Sequence, residues 1–259
     1  MGFVTFDLQD DVAVIGLNRP DKRNAISDKF VEELDGIITE VEAKAKAAVL
    51  YGHGPHFCAG LDLAEHVKKT PFEGVHGSRR WHEVFGRMQF GKVPWFGALH
   101  GAVVGGGLEL ASSLHVRVAE ESAFFALPEG QRGIFVGGGA SVRTARLMGV
   151  ARMTDLMLTG RSVTATQAES WNMVQYVVPD GSAKDKAIEL AGKAASNAEI
   201  SNYAIMHALP RIQNMSGEDG LFVESFIASF TATSPEAEER LNAFLQKKVG
   251  KVTRPGETA

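Results

Sequence analysis

One cysteine, Cys58, among 259 residues rules out an intramolecular disulfide and fits a reducing compartment. Positive charge is not in excess either. The 27 lysines and arginines face 31 aspartates and glutamates, for a formal net charge of −4. Nothing here marks a general nucleic-acid binder, and any anionic ligand needs a local basic patch. Basic side chains are missing from residues 1–14, where Asp7, Asp10 and Asp11 lie. That argues against a secretory signal or a mitochondrial transit peptide. No apolar run is long enough to span a bilayer, so the simplest expectation is a cytoplasmic protein with no membrane partner. What remains is an ordinary balance of 44% apolar and 22% charged residues, enough for one large domain or for a core with a small helical appendage.

Residues 4–8 alternate apolar and polar, with Val4, Phe6 and Leu8 on one face. Residues 12–17 form a second strand after a turn at 9–11, and the pair reads as a hairpin. A polar loop at 18–27 ends in Ser27, a candidate cap for a helix carrying Phe30, Val31, Leu34, Ile37, Ile38 and Val41 on its apolar side. A short strand is expected at 47–51, a helix start near Asp62, and a helix around Trp81, Val84, Phe85 and Met88. Strands follow at 94–99, 115–119 and 123–126, with a helix at 141–148. Two strands followed by a helix thus recur, which implies an α/β core with helices packed outside the sheets. Beyond Pro179 the signals are helical at 183–195, 200–212, 218–231 and 235–248, the last with Ser234 as cap and Pro235 at the first helical position; residues 250–259 read as a frayed tail.

The most informative stretch is Gly105-Gly106-Gly107-Leu108-Glu109. Three successive glycines weaken any helix or strand interior and belong where backbone must approach something closely. Here they open a helix, so their N–H groups sit at an end that favours negative charge. A tight strand-to-helix turn would explain them equally well. Rival motifs fail: no closing glycine completes a dinucleotide fingerprint, Val93 and Pro94 spoil a phosphate loop at 86–92, and no Gly-x-Ser-x-Gly elbow exists. His53, His56 and Cys58 share one loop with no second cluster, so no metal site is expected.

Phe57-Cys58-Ala59-Gly60-Leu61-Asp62-Leu63 resembles the F-(S/C/A)-A-G-x-D-(L/I) segment of the crotonase (enoyl-CoA hydratase) family, and Gly105–Glu109 resembles its G-G-G-x-E companion. Leu17-Asn18-Arg19-Pro20-Asp21-Lys22-Arg23-Asn24-Ala25 is similar to that family's L-N-R-P loop. Leu127-Pro128-Glu129 with Gly133, Gly137 and Gly139 is similar to its P-E-x-x-x-G segment, and residues 157–160 match a further stretch. The motifs come in order and at the right spacings, from about residue 4 to about 248. The resemblance implies a crotonase-type ββα spiral core over 1–198. It also implies a C-terminal helical region, 199–259, involved in assembly as a trimer or dimer of trimers.

It implies, further, an acyl-coenzyme A thioester as substrate, with coenzyme A present only as part of it and no tightly bound cofactor. By matching position, the backbone N–H groups of Leu61 and Gly106 hold the thioester oxygen. Glu109 activates water and Glu129 exchanges a proton at the α-carbon. Ala25, Ala59, Gly60, Asp62, Leu63, Gly105, Pro128 and Gly137 line the substrate, Lys22 and Arg23 meet the coenzyme A phosphates, and Phe230 and Lys247 approach the nucleotide. Each has a plainer reading as packing, turn or solvated charge. The acid of the pair needs a raised pKa, for which Phe124, Phe125, Leu127, Ile134 and Phe135 could supply apolar surroundings. Cys58 reads as a small packed residue. Leu61 stands where many hydratases have alanine, Val136 where many members have proline, and Trp171-Asn172 where an Ala-Gly pair is common.

The leading expectation is hydration of a 2-enoyl-CoA. Double-bond isomerisation, an aromatic acyl-CoA hydratase-lyase and a thioester hydrolase are alternatives on the same scaffold, and a catalytically silent acyl-CoA-binding subunit is the alternative outside enzymes.

Overall fold

The computed structural model describes residues 2–67 and 69–246. The chain divides into a first unit ending at Ser196 and a second beginning at Asn197. In the first, β1 (Val4–Gln9) and β2 (Val12–Leu17) form the antiparallel hairpin, with Val4 opposite Leu17 and Gln9 opposite Val12. Leu8, expected on the apolar face, is exposed, while Val4 and Phe6 pack against the core. Then come α1 (Asp28–Lys44), β3 (Ala47–Gly52), α2 (Leu63–His66), α3 (Pro71–Phe90), β4 (Trp95–Leu99), β5 (Ala102–Val104) and α4 (Gly106–Ala111). They are followed by β6 (Val116–Glu120), β7 (Phe124–Ala126), α5 (Arg143–Met148), α6 (Val150–Thr159), β8 (Ser162–Thr164), α7 (Ala165–Ser170), β9 (Tyr176–Val178) and α8 (Ala183–Ala195).

Successive strands do not stay together. One sheet has the order β1-β2-β3-β4-β6-β9, parallel from β2 onward, and a smaller one has the order β5-β7-β8. The paired strands β4–β5 and β6–β7 each send one strand to either sheet. An isolated parallel bridge between Cys58 and Val103 extends the small sheet, so the β3 segment does the same. Each turn of the chain thus adds one strand to both sheets, which is the ββα spiral of the crotonase fold. The bend between β4 and β5 turns on Gly101, whose φ of +52° suits glycine and whose missing Cβ leaves room for the Pro55 carbonyl.

The inner strands β2, β3 and β4 of the large sheet are buried on both faces, as parallel sheets require. Ala13, Ile15 and Leu17 point to the main core with Phe30, Leu34, Ile38, Phe85 and Trp95. Val12, Val14, Val49, Phe96 and Val118 point the other way, under a stripe of Ala183, Ala187, Ala191 and Ala195 on α8. Ser27 caps α1 by accepting from the Phe30 N–H at 3.2 Å. The short β5, β8 and β9 and the helices α6 and α7 gave no clear pattern in the sequence; three-residue strands are too brief to show a period.

The second unit contributes α9 (Glu199–Ile212), α10 (Gly217–Ala232) and α11 (Pro235–Leu245). Ser216 and Ser234 cap the last two, each accepting from the N–H three residues on.

Candidate active site

The site residues leave the small sheet at the carboxyl ends of its parallel strands. Leu61 follows Cys58 by three residues, Gly106 follows β5, and Glu129 follows β7. Crevices off such strand ends are common ligand positions in α/β sheets.

The three glycines each answer to a different neighbour. Gly105 has φ +54° and ψ −122°, and a Cβ there would lie 2.9 Å from Glu129 Oε1. On Gly106 it would lie 2.9 Å from the Trp81 ring and 3.3 Å from the Leu61 nitrogen. On Gly107 it would strike the Cys58 carbonyl. Gly60, at φ +98°, is equally confined between the Val104 oxygen and the Gly106 nitrogen. The glycines therefore let the start of α4 close on the 58–61 backbone. Ile26 bridges to both flanks of Leu61, donating to Gly60 O and accepting from Asp62 N–H. That pairing turns Leu61's own N–H away from Ile26, and both Leu61 and Gly106 line the cavity that holds the two glutamates.

Glu109, on the first turn of α4, is only 3% exposed. Its Oε1 accepts from the N–H of Gly138 at 2.7 Å and of Ala140 at 3.1 Å. Burial pushes its carboxyl above the usual range, and those N–H groups pull it back. Glu129 is 5% exposed, and its Oε2 has no hydrogen-bond partner among the described residues. Burial first, then the charge of Glu109, push it up to about 7, against its own backbone N–H and Arg132. Of the apolar residues expected to surround the acid, Phe125 and Leu127 are buried and Ile134 and Phe135 line the cavity. Phe124 does not serve: it is exposed on β7, on the opposite face from buried Phe125, as strand alternation demands.

The loop at 18–27 is fastened to this region by Asn24. Fully buried at φ +56°, it donates from Nδ2 to the carbonyls of His53, His56 and Phe57 and accepts from the Arg19 N–H. Lys22 and Arg23 stand exposed on that loop, Ala25 is half-buried, and the Arg23 carbonyl accepts from Ala59 N–H at 2.9 Å. Asp62 pairs with Arg19 at 3.2 Å, Leu63 is exposed, Pro128 is buried, and the Gly137 carbonyl accepts from Ser78 Oγ. Cys58 is fully buried and its thiol is pushed up to about 12, which suits packing and not nucleophilic attack. Phe230 lies exposed on α10, in the second unit, and Lys247 lies outside the described residues.

Several members of the site escaped the sequence reading, among them Asp28, Lys69 and Ser78, which line the cavity, and above all Trp81 and Arg143. Trp81 sits against Gly106 and Gly138, yet on α3 it shares the apolar spacing of Phe85 and Met88 and read as core. Arg143 donates to the Gly138 carbonyl at 3.0 Å and to Gln89 Oε1 at 2.7 Å; burial lowers its pKa while the charge of Glu109 raises it. No local motif marks it.

The Enoyl-CoA hydratase/isomerase family model matches residues 7–253. The chain belongs to this family, the crotonases. A Rhodopseudomonas palustris protein provisionally called an enoyl-CoA hydratase is 48% identical, with 95% of each chain covered and a TM-score of 0.92. The enoyl-CoA hydratase of Bacillus anthracis is 31% identical over 95% of this crotonase and 96% of its own chain, with a TM-score of 0.89. The 2,3-dehydroadipyl-CoA hydratase of Escherichia coli is 32% identical, covering 93% and 94%. No described helix of this crotonase is long and apolar enough to cross a membrane.

Proposed function

We propose that this protein adds water to a 2-enoyl-CoA, giving a 3-hydroxyacyl-CoA. The observation that carries the reading is one cavity lined by Leu61 and Gly106, whose backbones approach each other closely, and by two buried carboxyls held in unlike surroundings. Glu109, supported in its charged form by N–H donors, takes a proton from water as the water oxygen bonds to the β-carbon. The double-bond electron pair moves toward the thioester carbonyl and develops charge on its oxygen. The Leu61 and Gly106 N–H groups donate to that oxygen, and losing one such donor costs roughly 2.7–4 kcal/mol in comparable sites. Glu129, neutral up to about pH 7, delivers its proton to the α-carbon as the enolate collapses. The cycle closes when the proton gained by Glu109 returns to Glu129 through solvent.

Lys22 and Arg23 clamp the coenzyme A phosphates, the 59–63 segment and Ala25 carry the thioester arm, and Phe230 and Lys247 approach the nucleotide. Assembly is as a trimer or dimer of trimers, supported by the apolar side chains exposed on α10 and α11, among them Phe222, Phe226, Leu241 and Phe244. The test is the loss of enoyl-thioester absorbance when the enzyme meets crotonyl-CoA, with the 3-hydroxy product identified by mass. Binding without turnover would favour the silent acyl-CoA-binding alternative.

A further inference from the structure

We infer that the acyl end of the cavity is built for a chain ending in a hydroxyl group, a statement that rests on the acyl-CoA reading above. Helix α3 runs along the cavity and presents Gly74, Gly77, Ser78 and Trp81 to it, the i, i+3, i+4, i+7 face of a helix. Trp81 marks the reacting end, against Gly106 and Gly138. At 1.5 Å of rise per residue, Gly77 lies about 6 Å and Gly74 about 10 Å back along the axis.

Both are helix-interior glycines, a position where glycine is less stable than alanine. Neither is required by crowding. A Cβ on Gly74 would meet nothing within 4 Å, and on Gly77 only Lys69 Nζ, at 3.5 Å. The far wall is therefore bare, and the group standing over it is an ammonium.

That ammonium pairs with Asp28 Oδ1 at 2.5 Å, and both residues line the cavity along with His66. The Lys69 side chain keeps 21% of its exposure and Asp28 57%, so water still reaches the pair. A hydrocarbon terminus would strip that water and incur the desolvation penalty of an ion pair. A terminal carboxylate would satisfy Lys69 but stand beside Asp28, with Glu73 also close enough to feel the Lys69 charge. A hydroxyl accepts from the ammonium and donates to the carboxylate at once. The fitting substrate carries this hydroxyl roughly one helical turn beyond the β-carbon.

The test compares 2-enoyl-CoA thioesters of one length ending in hydroxyl, methyl or carboxylate, on the wild type and on Lys69→Met and Asp28→Asn, with circular dichroism to verify folding. Affinities of the three saturated acyl-CoA counterparts are measured by calorimetry. A site built to hydrogen-bond a hydroxyl should favour it over methyl by at least about tenfold. The ratio should fall toward one in both variants, in kcat/KM and in affinity alike. A ratio is read within each variant, so a general loss of activity cancels. An equal or better methyl compound, a preferred carboxylate, or a hydroxyl preference that survives both substitutions overturns the inference. Hydroxyl-selective binding that the variants lose, without any turnover, upholds it and removes hydration as the activity instead.

Discussion

The two glutamates face one cavity, yet the protein treats them differently. Glu109 rises from the first turn of α4 into a ring of backbone N–H groups supplied by the 137–140 segment. Glu129 follows β7, buried, with one oxygen that has no hydrogen-bond partner among the described residues. Burial raises the pKa of both, so burial alone cannot separate an acid from a base. The N–H donors of the 137–140 segment favour charge on Glu109, whereas Glu129 has its own backbone N–H and the charge of Arg132 to favour it, and Glu109's charge against it. The sharpest way to break the comparison is to remove each charge in turn. Glu109→Gln and Glu129→Gln should each lower turnover by about 10²–10⁴-fold, the usual worth of a general acid or base, while acyl-CoA binding survives. Because the two act as a unit, the double substitution should be little worse than the poorer single one. Exchange of the α-proton of a saturated acyl-CoA with heavy water should depend on Glu129 far more than on Glu109. Turnover that needs only Glu129 would favour an isomerase, and turnover that needs neither removes the mechanism.

A second consequence concerns stability. The native state keeps a proton on Glu129 up to about pH 7, whereas the unfolded chain loses it near 4.5. Between those values the native state binds more protons, so this group's contribution to stability is present below pH 4.5 and is lost as pH rises toward 7. Glu129→Gln removes the dependence. Relative to wild type, the variant should be more stable at pH 8 than at pH 4 by up to about 3 kcal/mol. Urea midpoints at the two pH values measure this, and an equal difference at both would show that Glu129 is not held neutral.

The Arg143 guanidinium sharpens the comparison from the Glu109 side. It holds the Gly138 carbonyl and adds a half-buried positive charge nearby. Arg143→Met should reduce kcat by about tenfold with little change in KM, and move the acidic limb of the pH–rate profile upward as Glu109 becomes harder to ionise. Arg143→Lys should restore the limb in part. A fall in rate with an unmoved limb would make Arg143 a packing residue only.

Much of this was legible in the chain. Short-range signals set the hairpin, the Ser27 cap and the apolar face of α1, and the glycine run with its Glu109 marked a helix start near charge. The ranges of β4, β6, β7 and α5 were expected to within two residues. What did not show was long-range: that β6 and β7 part into different sheets, that Trp81 meets Gly106 across the cavity, and that Arg143 reaches the loop holding Glu109. No residue near Trp81 distinguishes it from core, because its partners lie 25 or more positions away. The role of Asn24 was half-visible. Its motif was readable, but the three carbonyls it gathers belong to 53–57.

The smallest effect tests whether the two carboxyls can be left alone. Lys22 and Arg23 lie exposed on the loop that Asn24 fastens, and neither lines the cavity where the glutamates sit. Contacts from there to coenzyme A phosphates would be the same in the ground state and the transition state, and such uniform binding appears in KM. Each exposed charge pair is worth about 0.2–1 kcal/mol, so Lys22→Ala with Arg23→Ala should raise KM roughly two- to thirtyfold and leave kcat near its wild-type value. The effect should weaken with added salt, since exposed charges are screened within about 10 Å at 0.1 M. The pH–rate profile should not move, because neither carboxyl has changed its surroundings. An unchanged KM removes this loop from the coenzyme A site. A shifted profile would mean that the loop helps to set the two glutamates apart, through the Ala59–Gly60 backbone that Arg23 and Ile26 hold in place.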